Sequence, residues 1–326
     1  MAGMPIHLVT GGAGFIGSHI VETLVRRGDR VRVLDDLSTG RLENLAGLGV
    51  GAPGSGAAVE LVRGSITDPD ACRIALEGVV GVFHEAAQVS VPRSFEDPLR
   101  SYEINVMGTL RMLEAAQRSG VRTFVFASSS AVYGDSPVLP KEESMPPRPL
   151  SPYACGKLAG EDLVRVYGEA RGMRTVSLRY FNVFGPRQAD DSPYTGVIAI
   201  FARALLQVRR ATILGDGGQT RDFTYIEDAV RANLLASEAD VEPGTVINVG
   251  GGERVSIAAL QRSMAEIAGS SLEPLHAPAR QGDVRDSLAS LERARARLRW
   301  SPEVPWRKGL VRTMAWYRER LATTRA

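Results

Sequence analysis

The stretch Ser151-Pro152-Tyr153-Ala154-Cys155-Gly156-Lys157 sets a phenol and an ammonium four residues apart behind a helix-start signal. Ser151 can cap, Pro152 suits the first helical position, and Tyr153 and Lys157 then share one face. A free phenol has a pKa of about 10 and is a weak base at neutral pH. An ammonium beside it and the positive end of a helix beneath it both favour the phenolate. The spacing therefore predicts a lowered Tyr153 pKa and proton-transfer chemistry. Gly inside the helix costs about 1 kcal/mol against Ala, so Gly156 predicts close approach of substrate or of a neighbouring segment. Cys155 is expected to be packed rather than reactive.

A second constellation handles phosphate. Gly11, Gly14 and Gly17 follow the apolar run Ile6–Thr10 and precede a helical pattern from Ser18 to Arg27. That spacing serves a tight turn, close pyrophosphate approach and close helix packing, with the helix N-terminus supplying N–H donors. Arg30 to Leu34 reads as the next strand, and Asp35 closes it at the distance that suits a ribose 2′-hydroxyl. A carboxylate there repels a 2′-phosphate, so NAD is expected rather than NADP. Asp36-Leu37-Ser38-Thr39-Gly40 is a polar turn near the adenosine ribose, and Gly64 to Asp68, with Ser65 and Ile66, lines the adenine pocket.

The elements that must position these groups alternate. Strands are expected at Val59–Val62, Gly81–His84, Val121–Ala127 and Thr175–Leu178, with a long helix from Asp97 to Ser119 carrying Asn105 and another from 152 to 171. Small Ala86 and Ala87 with Gln88 let a cofactor lie against the backbone after the fourth strand, where His84 is expected to be a hydrogen-bonded structural residue. Ser128, Ser129 and Ser130 fall at the carboxyl end of the fifth strand, where doubly wound sheets bind ligands. Gly47–Ala58 reads as a flexible surface loop and Arg221–Ile226 as one strand; Ser256–Ala268 and Pro305–Leu321 read as helices. The pattern is α/β. It predicts a doubly wound parallel Rossmann sheet over 1–180 plus about 222–250, and a smaller, discontinuous C-terminal α/β substrate-binding domain over about 181–221 and 251–326.

Bulk properties narrow the class. A chain of 326 residues with 44% hydrophobic and 23% charged residues suits a globular enzyme of one large and one smaller domain. The formal charge of +2 comes with no basic block, which argues against nucleic-acid or membrane-surface partners. Two cysteines, Cys72 and Cys155, fit a reducing compartment. No apolar run reaches membrane-spanning length, and the early first strand leaves no room for a signal peptide, so a cytoplasmic protein is expected. No metal site is expected.

Taken together, Thr10-Gly-Gly-Ala-Gly-Phe15-Ile16-Gly17, His84–Ala87, Ser128–Gly134, the Tyr-Lys helix and Tyr180-Phe181-Asn182-Val183-Phe184-Gly185-Pro186 resemble the extended short-chain dehydrogenase/reductase family, and within it the UDP-hexose 4-epimerases. The resemblance runs from Thr10 to about Ser287. It implies NAD held by the glycine turn with Phe15 and Ile16, by the residues after each strand, by Asn105, Ser128, Tyr180 and Val183, and by Tyr153 and Lys157. It implies that Tyr153 takes the proton of a sugar 4-hydroxyl and later returns it, with Ser129 bonding the 4-oxygen and Ser130 assisting. For the UDP-sugar it implies Asn182 and the arginines Arg221 and Arg280 on the diphosphate, Gly196 and Val197 framing the uracil, Asp283 on the uridine ribose, and Ser90 and Arg93 at the sugar.

The branch rests on side chains. A 4,6-dehydratase carries Asp-Glu just before Val-Tyr-Gly, and a decarboxylase typically carries Glu there; this chain has Ser130 and Ala131. A plain dehydrogenase would share Tyr153 and Lys157 but exchange its NAD. A non-catalytic nucleotide-sensing relative usually loses one of the two. Ser287 takes the place where a bulky Tyr excludes an N-acetyl group, so UDP-N-acetylglucosamine is expected beside UDP-glucose. A UDP-uronic acid is the alternative, with Arg187 or a serine hydroxyl meeting its carboxylate. The helices near 97–119 and 152–171 imply a homodimer built on a four-helix bundle.

Overall fold

The computed structural model describes residues 5–189, 196–279 and 284–323. Strands β1 (Ile6–Thr10), β2 (Arg30–Asp35), β3 (Val50–Gly51), β4 (Val59–Arg63), β5 (Val79–His84), β6 (Thr123–Ser129) and β7 (Arg174–Tyr180) join Thr245–Val249 in one eight-stranded sheet. Its spatial order is Thr245–Val249, β7, β6, β5, β1, β2, β4, β3, and every pairing is parallel. The chain moves outward from β1 through β2 to β4, then returns to β5 on the other side of β1. That reversal opens a crevice at the carboxyl ends of β1 and β5.

Helices α1 (Phe15–Arg26), α2 (Pro69–Leu76), α3 (Val91–Glu96), α4 (Pro98–Tyr102), α5 (Thr109–Arg118) and α6 (Pro152–Arg171) belong to this half. Leu8 and Val9 point to opposite faces of the sheet and enter different apolar clusters, one including Met112 and Leu113 of α5, the other Val21 and Leu24 of α1. Covering both faces is what permits an all-parallel sheet. Beyond β7 lie α7 (Val197–Leu206), α8 (Ile226–Glu238) and α9 (Ile257–Ala268), the helices Glu292–Leu298 and Trp306–Thr323, and paired strands of two or three residues.

Three local expectations need correction. The helix expected over 97–119 is interrupted: Glu103–Gly108 between α4 and α5 is a π-helical stretch. Asn105 sits in it, and Oδ1 accepts from the Gln88 N–H at 2.8 Å while Nδ2 donates to the Gln88 carbonyl at 3.0 Å. The wider turn aims that amide at the loop after β5. The single strand expected over Arg221–Ile226 is two fragments, Thr220–Arg221 and Thr224–Tyr225. Asp222 breaks it, because its buried carboxylate accepts from the N–H groups of Gly251 and Ala289. The supposed loop Gly47–Ala58 contains β3, which pairs with β4 at the sheet edge.

Candidate active site

The glycine turn has the shape the spacing predicts. Gly11 has φ +65°, and a Cβ there would meet the Ala86 nitrogen at 2.9 Å. A side chain at Gly17 would overlap the Gly11 carbonyl oxygen. Helix α1 begins after Gly14 with no side-chain cap and no acidic residue in its first turn. Its first N–H groups, at Phe15, Ile16 and Gly17, therefore face the crevice as anion donors.

Asp35 stands at the end of β2 and is 7% exposed. Oδ2 accepts from the Ala13 N–H and Oδ1 from the Leu37 N–H, both at 2.9 Å. Two oxygens offer about four acceptor sites, so capacity remains for a ribose hydroxyl. Burial pushes this carboxyl's pKa up, against the two N–H bonds that lower it. Gly40 leaves room for it, since a Cβ there would lie 2.7 Å from Oδ1. Asp36 accepts from the Ser38 N–H and hydroxyl at 2.9 and 2.6 Å, which fixes the turn carrying Thr39. Asn44 was not legible as a site residue; its amide donates to the Ala13 carbonyl at 2.8 Å and secures the glycine turn. Ser65 pairs with Thr67 at 2.9 Å, and Ile66 is buried beside Gly108. These features fit a dinucleotide: a capless helix start for pyrophosphate, a carboxylate for ribose and a glycine cradle.

The second half of the site is built around α6. Ser151 Oγ accepts from the Ala154 N–H at 3.2 Å and Pro152 takes the first turn, as the sequence requires. Gly156 admits the π stretch, for its Cβ position lies 3.3 Å from the Asn105 Cβ. Of the two possibilities for that glycine, the neighbouring segment is what comes close. Tyr153 is half-buried with its side chain toward Ser129, whose Oγ accepts from the Ala131 N–H at 3.2 Å. Lys157 is buried; its Nζ donates to the Ala127 carbonyl at 2.6 Å and lies 5.0 Å over the Phe126 ring.

The expected lowering of the Tyr153 pKa is not what this environment gives. Burial pushes the phenol up, the Ser129 hydroxyl pulls it down, and the Glu85 carboxylate pushes it up further. Lys157 lies 6.0 Å from the Tyr153 ring centroid, and its own pKa is pushed down to about 8 by burial, against the charges of Glu85 and Glu161. Spacing along a helix reports which groups share a face but not how dry that face is.

Glu85 was not singled out by its sequence context. Its Oε1 accepts from the Tyr180 hydroxyl at 3.0 Å, and Tyr180 accepts from Asn233 Nδ2 at 2.7 Å. His84 is structural as expected, pairing with Thr10 Oγ1 at 2.9 Å and Thr109 Oγ1 at 3.1 Å. Burial lowers its pKa to about 3, so it stays neutral.

One cofactor expectation changes. The Ser128 hydroxyl donates to buried Glu161 beside Arg179, so it faces the core rather than a cofactor. Asn105 bonds the Gln88 backbone through both amide atoms and so positions Ala86, Ala87 and Gln88. Tyr180 ends β7 opposite Ser129 in the sheet register, with Val183 three residues on.

On the substrate side, Ser90 caps α3 by accepting from the Arg93 N–H at 3.2 Å, and Arg93 is exposed. Asn182 is exposed with φ +20°, and its carbonyl accepts from the Thr224 N–H. Gly196 and Val197 open α7, which also lacks a side-chain cap. Arg221 is half-buried and donates to the Thr220 carbonyl at 2.9 Å. Buried Ser287 accepts from the Asp222 N–H at 3.3 Å. Arg187, with φ +66°, pairs with Glu22 of α1 at 2.6 Å. Arg280 and Asp283 lie outside the described residues. Among the described residues no cluster of His, Cys, Asp or Glu forms a metal site, and no helix is long and apolar enough to cross a membrane.

A Rossmann sheet, a glycine turn backed by an acidic ribose site and a Ser–Tyr–Lys face define an extended short-chain dehydrogenase/reductase that uses NAD. The sequence pattern of the NAD dependent epimerase/dehydratase family matches residues 7–250. The chain belongs to that family and is one of its enzymes. It is similar to UDP-glucose 4-epimerase of Mycolicibacterium smegmatis, at 41% identity over 96% of this chain and 98% of that protein. Among solved structures it resembles Thermotoga maritima UDP-glucose 4-epimerase with UDP-glucose, with a TM-score of 0.91 and 38% identity, covering 97% of this chain and 99% of that one. The UDP-N-acetylglucosamine 4-epimerase of Methanobrevibacter ruminantium, in complex with UDP-N-acetylmuramic acid, aligns with a TM-score of 0.90 and 36% identity over 97% and 99% of the two chains.

Proposed function

We propose that this enzyme interconverts the C4 epimers of UDP-hexoses, UDP-glucose with UDP-galactose and UDP-N-acetylglucosamine with UDP-N-acetylgalactosamine. The convergence of Tyr153 and Ser129 at the carboxyl end of β6 carries this reading. It would bring a proton acceptor and a hydroxyl to one sugar oxygen, while the residues that eliminate water or promote decarboxylation are absent at Ser130 and Ala131. NAD, when bound, supplies reversible hydride acceptance at C4. Tyr153 takes the 4-hydroxyl proton as hydride leaves, and Ser129 holds the oxygen of the resulting 4-ketose. After the ketose turns over, Tyr153 returns the proton as hydride adds to the other face. Lys157 orients the nicotinamide ribose.

Phe15, Ile16, Asp35 and the turns after β2, β4 and β5 would hold NAD, with Tyr180 and Val183 at the nicotinamide end. Asn182, Gly196, Val197, Arg221, Arg280, Asp283 and Ser287 would hold the UDP-sugar on a lobe of about 181–221 and 251–326. The relatives named for UDP-glucose and UDP-N-acetylglucosamine support both sugars. Small, buried Ser287 supports room for the N-acetyl group. The pairing of Arg187 with Glu22 counts against a uronate as the preferred substrate, because that arginine is already neutralised. A homodimer is supported by exposed Phe95, Leu99, Tyr102, Met107 and Val166, carried by α3, α4, the π stretch and α6.

The test is to incubate the purified protein with UDP-glucose, UDP-N-acetylglucosamine and UDP-glucuronate without added NAD and to resolve epimers. Conversion of the first two is expected. Conversion of none would sink the proposal.

A further inference from the structure

Buried groups to which the reaction above assigns no step flank Ser129 on both sides. Ser128 before it, Arg179 of β7 and Asn248 of the strand Thr245–Val249 are register partners, so the three form a row on one face of the sheet. Helix α6 meets that row with Glu161, and all four side chains are buried. Glu161 Oε1 accepts from the Ser128 hydroxyl and from Arg179 Nε, the latter at 2.9 Å, while Oε2 accepts from Arg179 Nη2 at 2.7 Å. Ser129 is thus tied to α6 through the residue that precedes it.

The same cation holds the residues that follow. Ser129 caps the single 3-10 turn Ser130–Tyr133. At the end of that turn the Tyr133 ring lies against the Arg179 guanidinium, with Cζ 4.7 Å from the ring centroid, and the Tyr133 hydroxyl donates to Asn248 Oδ1 at 2.7 Å. Glu161 lies one turn beyond Lys157 and two beyond Tyr153 on α6, so these three share a helix face. One ion pair therefore supports Ser129 from both flanks and also the helix that carries Tyr153 and Lys157.

A buried ion pair adds little stability over apolar residues that pack equally well. Here Arg179 Nη1 is also buried with no hydrogen-bond acceptor among the described residues, which adds to the cost. Building on the epimerase reading, we propose that Glu161 and Arg179 are positioning residues: they fix the gap between Ser129 on β6 and the Tyr153–Lys157 face of α6 into which the sugar 4-oxygen fits. A sugar that turns over between two half-reactions presents different atoms to the site each time, so its own contacts cannot set that gap. The protein must hold it, and a misplacement of about 1 Å in such a geometry costs about a hundredfold in rate.

Removing Glu161 or Arg179 alone strands a buried charge and can prevent folding. The decisive variant is therefore Ser128→Ala, which cuts the link to β6 and leaves both Arg179 bonds to Glu161 in place. In the full-length protein with UDP-glucose, kcat is expected to fall about tenfold, with KM, NAD content and melting temperature near their parental values. Ser128→Thr, which keeps the hydroxyl, is expected to restore kcat. Because Ser128 acts through Ser129, adding Ser128→Ala to Ser129→Ala is expected to lower kcat no further than Ser129→Ala alone. In the paired variant Glu161→Met with Arg179→Met, which leaves no unpaired charge, kcat is expected to fall about a hundredfold. Parental kcat in Ser128→Ala or in a folded paired variant, or additive losses with Ser129→Ala, would overturn the proposal. A parent that epimerises no sugar removes the epimerase reading and this proposal with it; a parent that epimerises and gives any of those results overturns this proposal alone.

Discussion

The Lys157 ammonium donates to the Ala127 carbonyl at 2.6 Å from inside the protein, tied to the strand that ends at Ser129. A buried charge of this kind is maintained for function at a cost in stability. Lys157 holds its proton in the unfolded chain up to the usual 10.5 but in the folded protein only up to about 8. Between those values the unfolded chain binds more protons, so this site makes the protein more stable as pH rises from about 8 to about 10.5, by up to about 3 kcal/mol. Below 8 both states are protonated and the full penalty stands. Lys157→Met removes the titration. Urea unfolding at pH 7.5 and 10 is expected to show the parent gaining stability relative to the variant over that interval, while the variant loses most of its activity at both.

Asp35 is proposed to read the cofactor. With its carboxylate replaced in Asp35→Ser, the repulsion of a 2′-phosphate and the acceptor for a ribose hydroxyl both go. NAD affinity is expected to fall about tenfold, and the preference over NADP to shrink by more than that. Binding isotherms for the two dinucleotides on cofactor-stripped protein check this.

Ser287 is proposed to read the sugar. Ser287→Tyr fills the space assigned to a 2-substituent, so kcat/KM for UDP-N-acetylglucosamine is expected to fall about a hundredfold relative to UDP-glucose. An unchanged ratio would remove Ser287 from the specificity site.

Leu99 is 83% exposed and Phe95 61%, on the face assigned to the dimer. A single charge there, Leu99→Glu, is expected to convert the dimer to monomer on a sizing column without lowering the melting temperature of the monomer. A parent protein that runs as a monomer contradicts the assignment.

The legible parts of this molecule are those in which neighbouring residues do the work. The glycine turn, Asp35 after its strand and the Ser-Pro-Tyr start of α6 each lie within a short stretch, and the geometry at Gly11, Asp35 and Ser151 agrees with them. What escaped depends on partners distant in the chain. Asn105 meets the Gln88 backbone across 17 residues, and the π stretch that aims it leaves helical periodicity nearly intact. Glu85 meets Tyr180 across 95 residues, and Asp222 meets Ala289 across 67. Ser128 looked like its neighbours in a run of three serines, but strand alternation turns its hydroxyl to Glu161. The direction of the Tyr153 pKa failed for the same reason, since burial raises it and is set by the whole fold.

Tyr153 is where the account is most exposed. Tyr153→Phe removes one hydroxyl and keeps the ring, so the fold and NAD content are expected to survive. The measurement is the rate of UDP-galactose formation from UDP-glucose by the parent and by Tyr153→Phe, at equal NAD content. A fall of about a thousandfold, within the range for losing a general acid–base group, is the result predicted; a variant that epimerises at the parental rate would contradict Tyr153 as the proton carrier.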